Sequence, residues 1–302
     1  MKSVWVKKHA PKSISDIVFA NDKMRKEFQI FSSDKEFPNL LLCGHPGTGK
    51  SSISNALVHD CGIDAMDHLR INCSNKKIEA MRDEVANFAR TMPLGKFKVV
   101  QLEEFDRLSP DAQGLLNAVI EDSSDTCRFI ATCNYPNKIL PALHSRLTRY
   151  NFAAPNKDEV LIRTAEILEK EGVSFDIDDL EQVVAAGYPD IRKIICLLEV
   201  GSKTKQLIIG SDNGGVSDWK LDLLPLIEAG NISACRKLVC ESADSDELVD
   251  VYRFLYDNLH RCKKIKQDEA VVLIAQYQYQ HAFVSDPELQ VAALFVELGT
   301  LV

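Results

Sequence analysis

Gly44-His45-Pro46-Gly47-Thr48-Gly49-Lys50-Ser51 places glycines, one lysine and one hydroxyl in the spacing Gly-x4-Gly-Lys-Ser/Thr. Glycines let successive backbone N–H groups turn inward and form a nest for an anion. A helix beginning at the lysine adds the partial positive charge of its N-terminus. The lysine then reaches β- and γ-phosphates, and the serine hydroxyl ligates magnesium. The alternative is a Gly-Pro turn that happens to carry a lysine, and the flanks discriminate. Asn39 to Cys43 is an apolar run of strand length, and Ser51 to Val58 has helical character. On this reading Gly44, His45, Pro46, Gly47, Thr48, Gly49, Lys50, Ser51 and Ser52 bind ATP, with Ser51 also a metal ligand.

Four further segments carry candidate chemistry. Phe97 to Asp106 is a largely apolar run ending in Glu103 and Glu104. The first carboxylate suits magnesium, and the second suits the water that attacks a γ-phosphate. A core strand followed by a solvated acidic turn has the same pattern; the phosphate-loop motif upstream favours the functional reading. Phe129 to Asn134 ends a strand in an amide able to orient that water, although turns also favour asparagine. Leu143-His144-Ser145-Arg146 and Pro189-Asp190-Ile191-Arg192-Lys193 each present an arginine. Arginine stabilises charge developing on phosphate oxygens and does so well across a subunit interface. Taken alone, Arg146 and Arg192 read as surface residues.

These groups need a scaffold that brings distant segments together. Strand-like runs at 39–43, 68–73, 97–103, 127–133 and 148–153 alternate with helical ones. That alternation predicts an α/β fold, a parallel sheet flanked by helices. Residues 1–38 mix turn signals with short helical stretches. Amphipathic helices are expected over 156–171 and 176–203, interrupted at Gly172 and Gly187-Tyr188-Pro189. Gly210 to Gly215 reads as a linker. Beyond it, 217–302 is helical, with Val291, Leu294, Phe295 and Leu298 forming one apolar stripe.

The chain has 302 residues, enough for two or three domains. No apolar run approaches the ~20 residues of a membrane helix, and Met1 to Lys8 lacks the apolar core of a signal peptide. Nine cysteines are scattered without a Cys-x-x-Cys pair, which reads as reduced thiols in a cytoplasmic protein. The net charge of −8 argues against coating DNA by bulk attraction and leaves room for a local basic surface.

The order of these motifs resembles the AAA+ ATPases, and among them the clamp loaders of DNA replication. The short length and Tyr188-Pro189-Asp190-Ile191-Arg192-Lys193 make the chain most similar to the ATPase subunit of T-even-like phage clamp loaders, followed by replication factor C small subunits. Trp5 to Pro11 resembles the family's adenine-side element and Asp16-Ile17-Val18 follows it, which implies base contacts from Lys7, Lys8, His9 and Val18. Leu102 to Leu108 resembles the Asp-Glu-x-Asp box, with Glu103 where the family has Asp and Glu104 as the residue that polarises the attacking water. Asn134 takes the place of the first sensor. Ser145-Arg146 resembles the Ser-Arg-Cys motif that serves a neighbour's ATP, with Leu147 in place of cysteine. Arg192 takes the place of the second sensor, and His9-Ala10 replaces Tyr-Arg.

The resemblance implies a nucleotide-binding domain over 1–154, a helical lid over 155–209 and a collar over 216–302 that assembles a ring. It implies ATP and Mg2+, other clamp-loader subunits in a pentameric ring, a sliding clamp and primer–template DNA. Lys76, Lys77 and Arg82 stand where such proteins face DNA, and Lys77 resembles the residue that couples DNA to the catalytic glutamate. The rival readings are another AAA+ machine, such as a helicase loader or remodeller, and an ATP-binding subunit with little hydrolysis. The location implied is the cytosol, of the host if the source is a phage.

Overall fold

The structure is a computed structural model that describes residues 4–74, 78–209, 218–243, 248–262 and 264–302. It divides into two compact units. One comprises Met1–Ile167 with Tyr188–Cys196, the other Leu168–Gly187 with Leu197–Val302.

The first unit is built on five strands: β1 (Leu40–Gly44), β2 (His68–Asn72), β3 (Lys98–Glu103), β4 (Cys127–Cys133) and β5 (Thr148–Phe152). They pair in parallel in the order β2-β3-β4-β1-β5. The strands expected from the sequence are present to within a residue at each end. Leu40, Leu41, Leu42 and Cys43 are all fully buried, as a strand covered on both faces requires. The register sets Cys43 beside Cys133 and Asn72 beside Glu103. The carboxyl ends of β1, β3 and β4 therefore lie side by side, and in open parallel sheets that edge is where ligands bind.

The helices of this unit are α1 (Trp5–Lys8), α2 (Asp22–Asp34), α3 (Lys50–Asp60), α4 (Ile78–Arg90), α5 (Pro110–Asp122) and α6 (Pro141–His144). Their starts follow local chemistry. Asn21 Oδ1 accepts from Met24 N–H at 2.9 Å to open α2. Ser109 Oγ accepts from Ala112 N–H at 3.3 Å, with Pro110 in the first turn, to open α5. At 13 residues, α2 is longer than the short stretches expected before the first strand. Its Phe28 explains why: the ring is fully buried between Phe19, Phe31, Tyr150 and Phe152, with centroids 5.1–5.9 Å away.

Helices α7 (Lys157–Glu171), α8 (Ile177–Gly187) and α9 (Ile191–Gly201) match the pattern read from the sequence. The second unit adds α10 (Trp219–Ala229), α11 (Ile232–Ser242), α12 (Leu248–Asn258), α13 (Gln267–His281) and α14 (Pro287–Gly299). Val291, Leu294, Phe295 and Leu298 of α14 are buried in one cluster with Leu223, Val239, Val251 and Tyr252. The linker read at 210–215 lies outside the described residues. Among the described residues no helix is long and apolar enough to cross a membrane.

The aromatic cluster around Phe28 gives a stability test. Phe28→Ala empties a ring-sized site between α2 and β5, and its expected cost is about 3–5 kcal/mol. Urea unfolding of the variant should show a correspondingly lower midpoint at unchanged slope.

Candidate nucleotide site

A cavity of about 510 Å³ opens at the carboxyl edge of the sheet in the first unit. One part of its wall is the loop Pro46 to Ser52. Another is Glu103, Glu104, Thr132 and Asn134 from the ends of β3 and β4. An apolar part is formed by Val6, Ala10, Pro11, Ile17 and Val18 from the N-terminal segment, with Ile167, Ile191 and Ile195.

The loop is shaped by its glycines. Gly47 has φ +75° and Gly49, which precedes α3, has φ +89°, a region that side chains disfavour. Space also demands glycine at position 47, since an added Cβ would lie 2.0 Å from Asp190 Cγ. Asp190 sits there because it starts α9: its Oδ1 accepts from Lys193 N–H at 3.0 Å, while Ile191 N–H donates to the Gly47 carbonyl at 3.2 Å. The start of α9 is thus hydrogen-bonded to the loop, and Arg192 joins the cavity wall.

Lys50 is 8% exposed, and its Nζ donates to the carbonyls of Gly44 at 2.8 Å and His45 at 2.6 Å. Burial pushes its pKa down, against weaker opposing pull from Cys133 and Asp106. Among the described residues no carboxylate forms an ion pair with Lys50 or Arg192. A buried cation whose partners are carbonyls, beside a second unpaired cation, fits a polyanionic ligand.

The two glutamates are held differently. Glu103 Oε1 accepts from Arg70 Nη2 at 2.8 Å and from Gln101 Nε2 at 3.4 Å. Among the described residues no donor meets its Oε2, which leaves that oxygen for a cation. Glu104 adopts φ +54°, a strained conformation for a residue with a side chain. Its backbone N–H donates to Thr132 Oγ1 at 3.3 Å. Its carboxylate accepts from Ser74 Oγ at 2.7 Å and Asn72 Nδ2 at 3.3 Å. The Ser74 bond, opposed by burial and joined by Asn72 and Arg107, holds this carboxyl below the usual carboxylate range. Asp106, 5% exposed, accepts from the backbone N–H groups of Asn134 and Tyr135, each at 3.3 Å, and so orders the segment bearing Asn134.

The site residues read from the sequence fall into three groups. Glu103, Glu104, Asn134, Arg192, Lys7, His9, Val18, Pro46, Gly47, Thr48, Gly49, Lys50, Ser51 and Ser52 all line this cavity. Gly44 and His45 contribute through their carbonyls on Lys50, and Lys8 lies on α1 outside the cavity wall. Arg146 is also outside it: Nη2 donates to Glu121 at 2.5 Å and Nη1 to the Ala142 carbonyl at 3.1 Å. Lys76, Lys77 and the Arg82 side chain lie outside the described residues.

Sequence reading missed Arg70, Asn72, Ser74 and Arg163. Arg70, Asn72 and Arg163 line the cavity, and Asn72 and Ser74 meet Glu104. Strand alternation gave a usable signal for one pair, since Arg70 and Asn72 lie two apart on β2 and project from the same face.

Comparison with known proteins agrees with this architecture. Residues 40–154 match the model of the ATPase family associated with various cellular activities. The replication factor C small subunit of Aeropyrum pernix is 31% identical over 315 residues, covering 99% of this chain and 96% of that protein. That of Thermofilum pendens is 30% identical over 321 residues, covering 99% and 97%. The Holliday junction branch migration motor RuvB of Thermotoga maritima shares the fold at a TM-score of 0.55, with 16% identity over 72% of this chain and 79% of that one. With an ATPase-type sheet around this cavity and end-to-end similarity to those archaeal subunits, the chain belongs to the replication factor C small-subunit family.

Proposed function

We propose that this chain is the ATPase subunit of a DNA-replication clamp loader, which opens a sliding clamp and releases it closed on primer–template DNA as ATP is hydrolysed. The observation that carries the ATPase reading is the buried Lys50 ammonium at the start of α3, held by two carbonyls, in one cavity with Glu103 and Glu104. Family membership carries the clamp-loading part. The rival of an ATP-binding subunit with little hydrolysis is disfavoured by Glu104, which stands ionised at the cavity wall.

Each residue then has a task. Lys50 and the N–H groups of the loop bind the β- and γ-phosphates, and Arg192 neutralises charge on them. Ser51 and the free oxygen of Glu103 would hold Mg2+, which when bound offsets phosphate charge. Glu104 accepts a proton from the attacking water, which Asn134 orients. The apolar wall around Ile17 and Val18 takes the adenine, with Lys7 and His9 at its margin. Arg146 serves the cavity of a neighbouring subunit, in keeping with its place outside its own.

We assign residues 155–209 as a lid over the nucleotide and 216–302 as a collar that packs against neighbours in a pentameric ring. The Lys76, Lys77 and Arg82 cluster is proposed to meet DNA phosphates, whose contacts set position rather than sequence. The segment Tyr188 to Lys193 supports membership of the phage-type subgroup, and hence a cytosolic site of action.

Four variants test this reading. Lys50→Ala should abolish measurable ATP binding by calorimetry, whereas Glu104→Gln should retain it and lose hydrolysis by about 100-fold or more. Near-normal turnover in either folded variant would sink the assignment. Arg146→Ala should bind ATP normally and lose on the order of 10³ in turnover within the assembled complex. Mixing it with Lys50→Ala subunits should restore the sites where an intact Lys50 meets an intact Arg146. Gly47→Ala should displace Asp190 and weaken ATP binding by about tenfold or more, with the unfolding midpoint as the control for foldedness.

A further inference from the structure

Helix α3 ends on a carboxylate at the electrostatically unfavourable end. Asp60 is its last residue, where the helix dipole is negative and basic residues are preferred. Its side chain is only 12% exposed. Oδ2 accepts three hydrogen bonds, from Ser13 Oγ at 3.0 Å, Ile14 N–H at 2.9 Å and Ser32 Oγ at 3.0 Å. Oδ1 lies 3.3 Å from His59 Nδ1. Burial raises its pKa, but the hydrogen bonds from Ile14 N–H, Ser13, His59 and Ser32 together outweigh it, and the carboxyl is held below its ordinary value.

The donors show what this acid fastens. Ser13 caps the turn Ile14–Asp16, and Asp16 closes it by accepting from the N–H groups of Lys12 at 3.1 Å and Ser13 at 3.2 Å. That turn is a small rigid body, and it leads directly into Ile17 and Val18 on the apolar wall of the cavity. The other end of α3 is Lys50, among the phosphate-binding groups. One 11-residue helix therefore begins at the phosphate end. Roughly 16 Å further on, it ends at the residue that grips the segment forming the apolar end.

We propose that Asp60 is a positioning residue for the nucleotide base: it ties the Ser13–Val18 segment to the end of the phosphate-loop helix, so that the base and phosphate ends of the cavity keep one fixed spacing. This rests on the ATP reading of the cavity. Asp60 is not among the residues of the cavity wall, so its effect reaches the ligand through the part that meets Ile17 and Val18. Phosphate binding depends on Lys50 and the loop, whose geometry is set by glycines and by the start of α9.

The test separates base from phosphate by competition against a fluorescent ATP analogue, with ATP and inorganic tripolyphosphate as the two competitors in the presence of Mg2+. In Asp60→Ala the ATP affinity should fall by about tenfold, while that of tripolyphosphate changes by less than twofold. Asp60→Asn keeps an accepting oxygen without the charge and should fall in between. Ser13→Ala removes one donor to Asp60 together with the cap of the turn Ile14–Asp16; it is the milder variant and should weaken ATP by about threefold with tripolyphosphate unchanged, its circular dichroism spectrum serving as the guard against misfolding. Equal weakening of both competitors, or unchanged ATP affinity in Asp60→Ala, overturns the proposal. Equal affinity of the wild-type protein for the two competitors also overturns it, since the base would then contribute nothing. Failure of the wild-type protein to bind ATP would instead remove the reading of the cavity.

Discussion

Lys50 is a cation kept almost wholly from water with two carbonyl oxygens as its partners. Burying a charge without a countercharge is costly, and a protein retains such an arrangement where a ligand supplies the missing charge. The surrounding structure is arranged around that requirement. Gly47 and Gly49 give the loop its turn, α3 presents its N-terminus beside the lysine, and Asp190 packs on Gly47 to bring Arg192 into the same wall. A carboxylate ion-paired with Lys50 would satisfy it internally and leave nothing for an anion to do.

The acids at the end of β3 are restrained with equal care. Glu103 is held through one oxygen, which accepts from both Arg70 and Gln101. Its neighbour Glu104 turns into a left-handed conformation that costs about 1–3 kcal/mol. Thr132 on β4 and the pair Asn72 and Ser74 after β2 hold it there. Strain of this kind persists only where neighbouring strands over-determine it, and here hydrogen bonds from β4 and from the end of β2 do so.

The parallel register transmits these restraints. Because β4 lies between β3 and β1, the buried Asp106 after β3 can order the backbone at Asn134 while β1 delivers the loop from the other side. The cavity is therefore the joint product of four strand ends, the starts of α3 and α9 and residues of α7, with an N-terminal segment closing its apolar end.

Local pattern was enough to locate the five strands and the phosphate-loop and acidic parts of this wall. Apolar runs of strand length, Gly-x4-Gly-Lys-Ser and paired acids at a strand end depend on neighbours in the chain, so Lys50, Ser51, Glu103, Glu104 and Asn134 were legible before any fold was known. The apolar stripe of α14 was legible for the same reason, since helical periodicity is local. Contacts between segments far apart in sequence were decided only by the tertiary structure. Arg70 reaches Glu103 through strand register, Asp190 reaches Gly47 through the placement of α9, and Asp60 reaches Ser13 and Ser32 through the packing of α3 beside the N-terminal segment and α2. Arg146 was recognisable as a motif, but its exclusion from its own cavity required the fold. A hydrogen bond or ion pair between distant residues leaves no periodic trace in the chain, because its geometry is set by how whole elements pack.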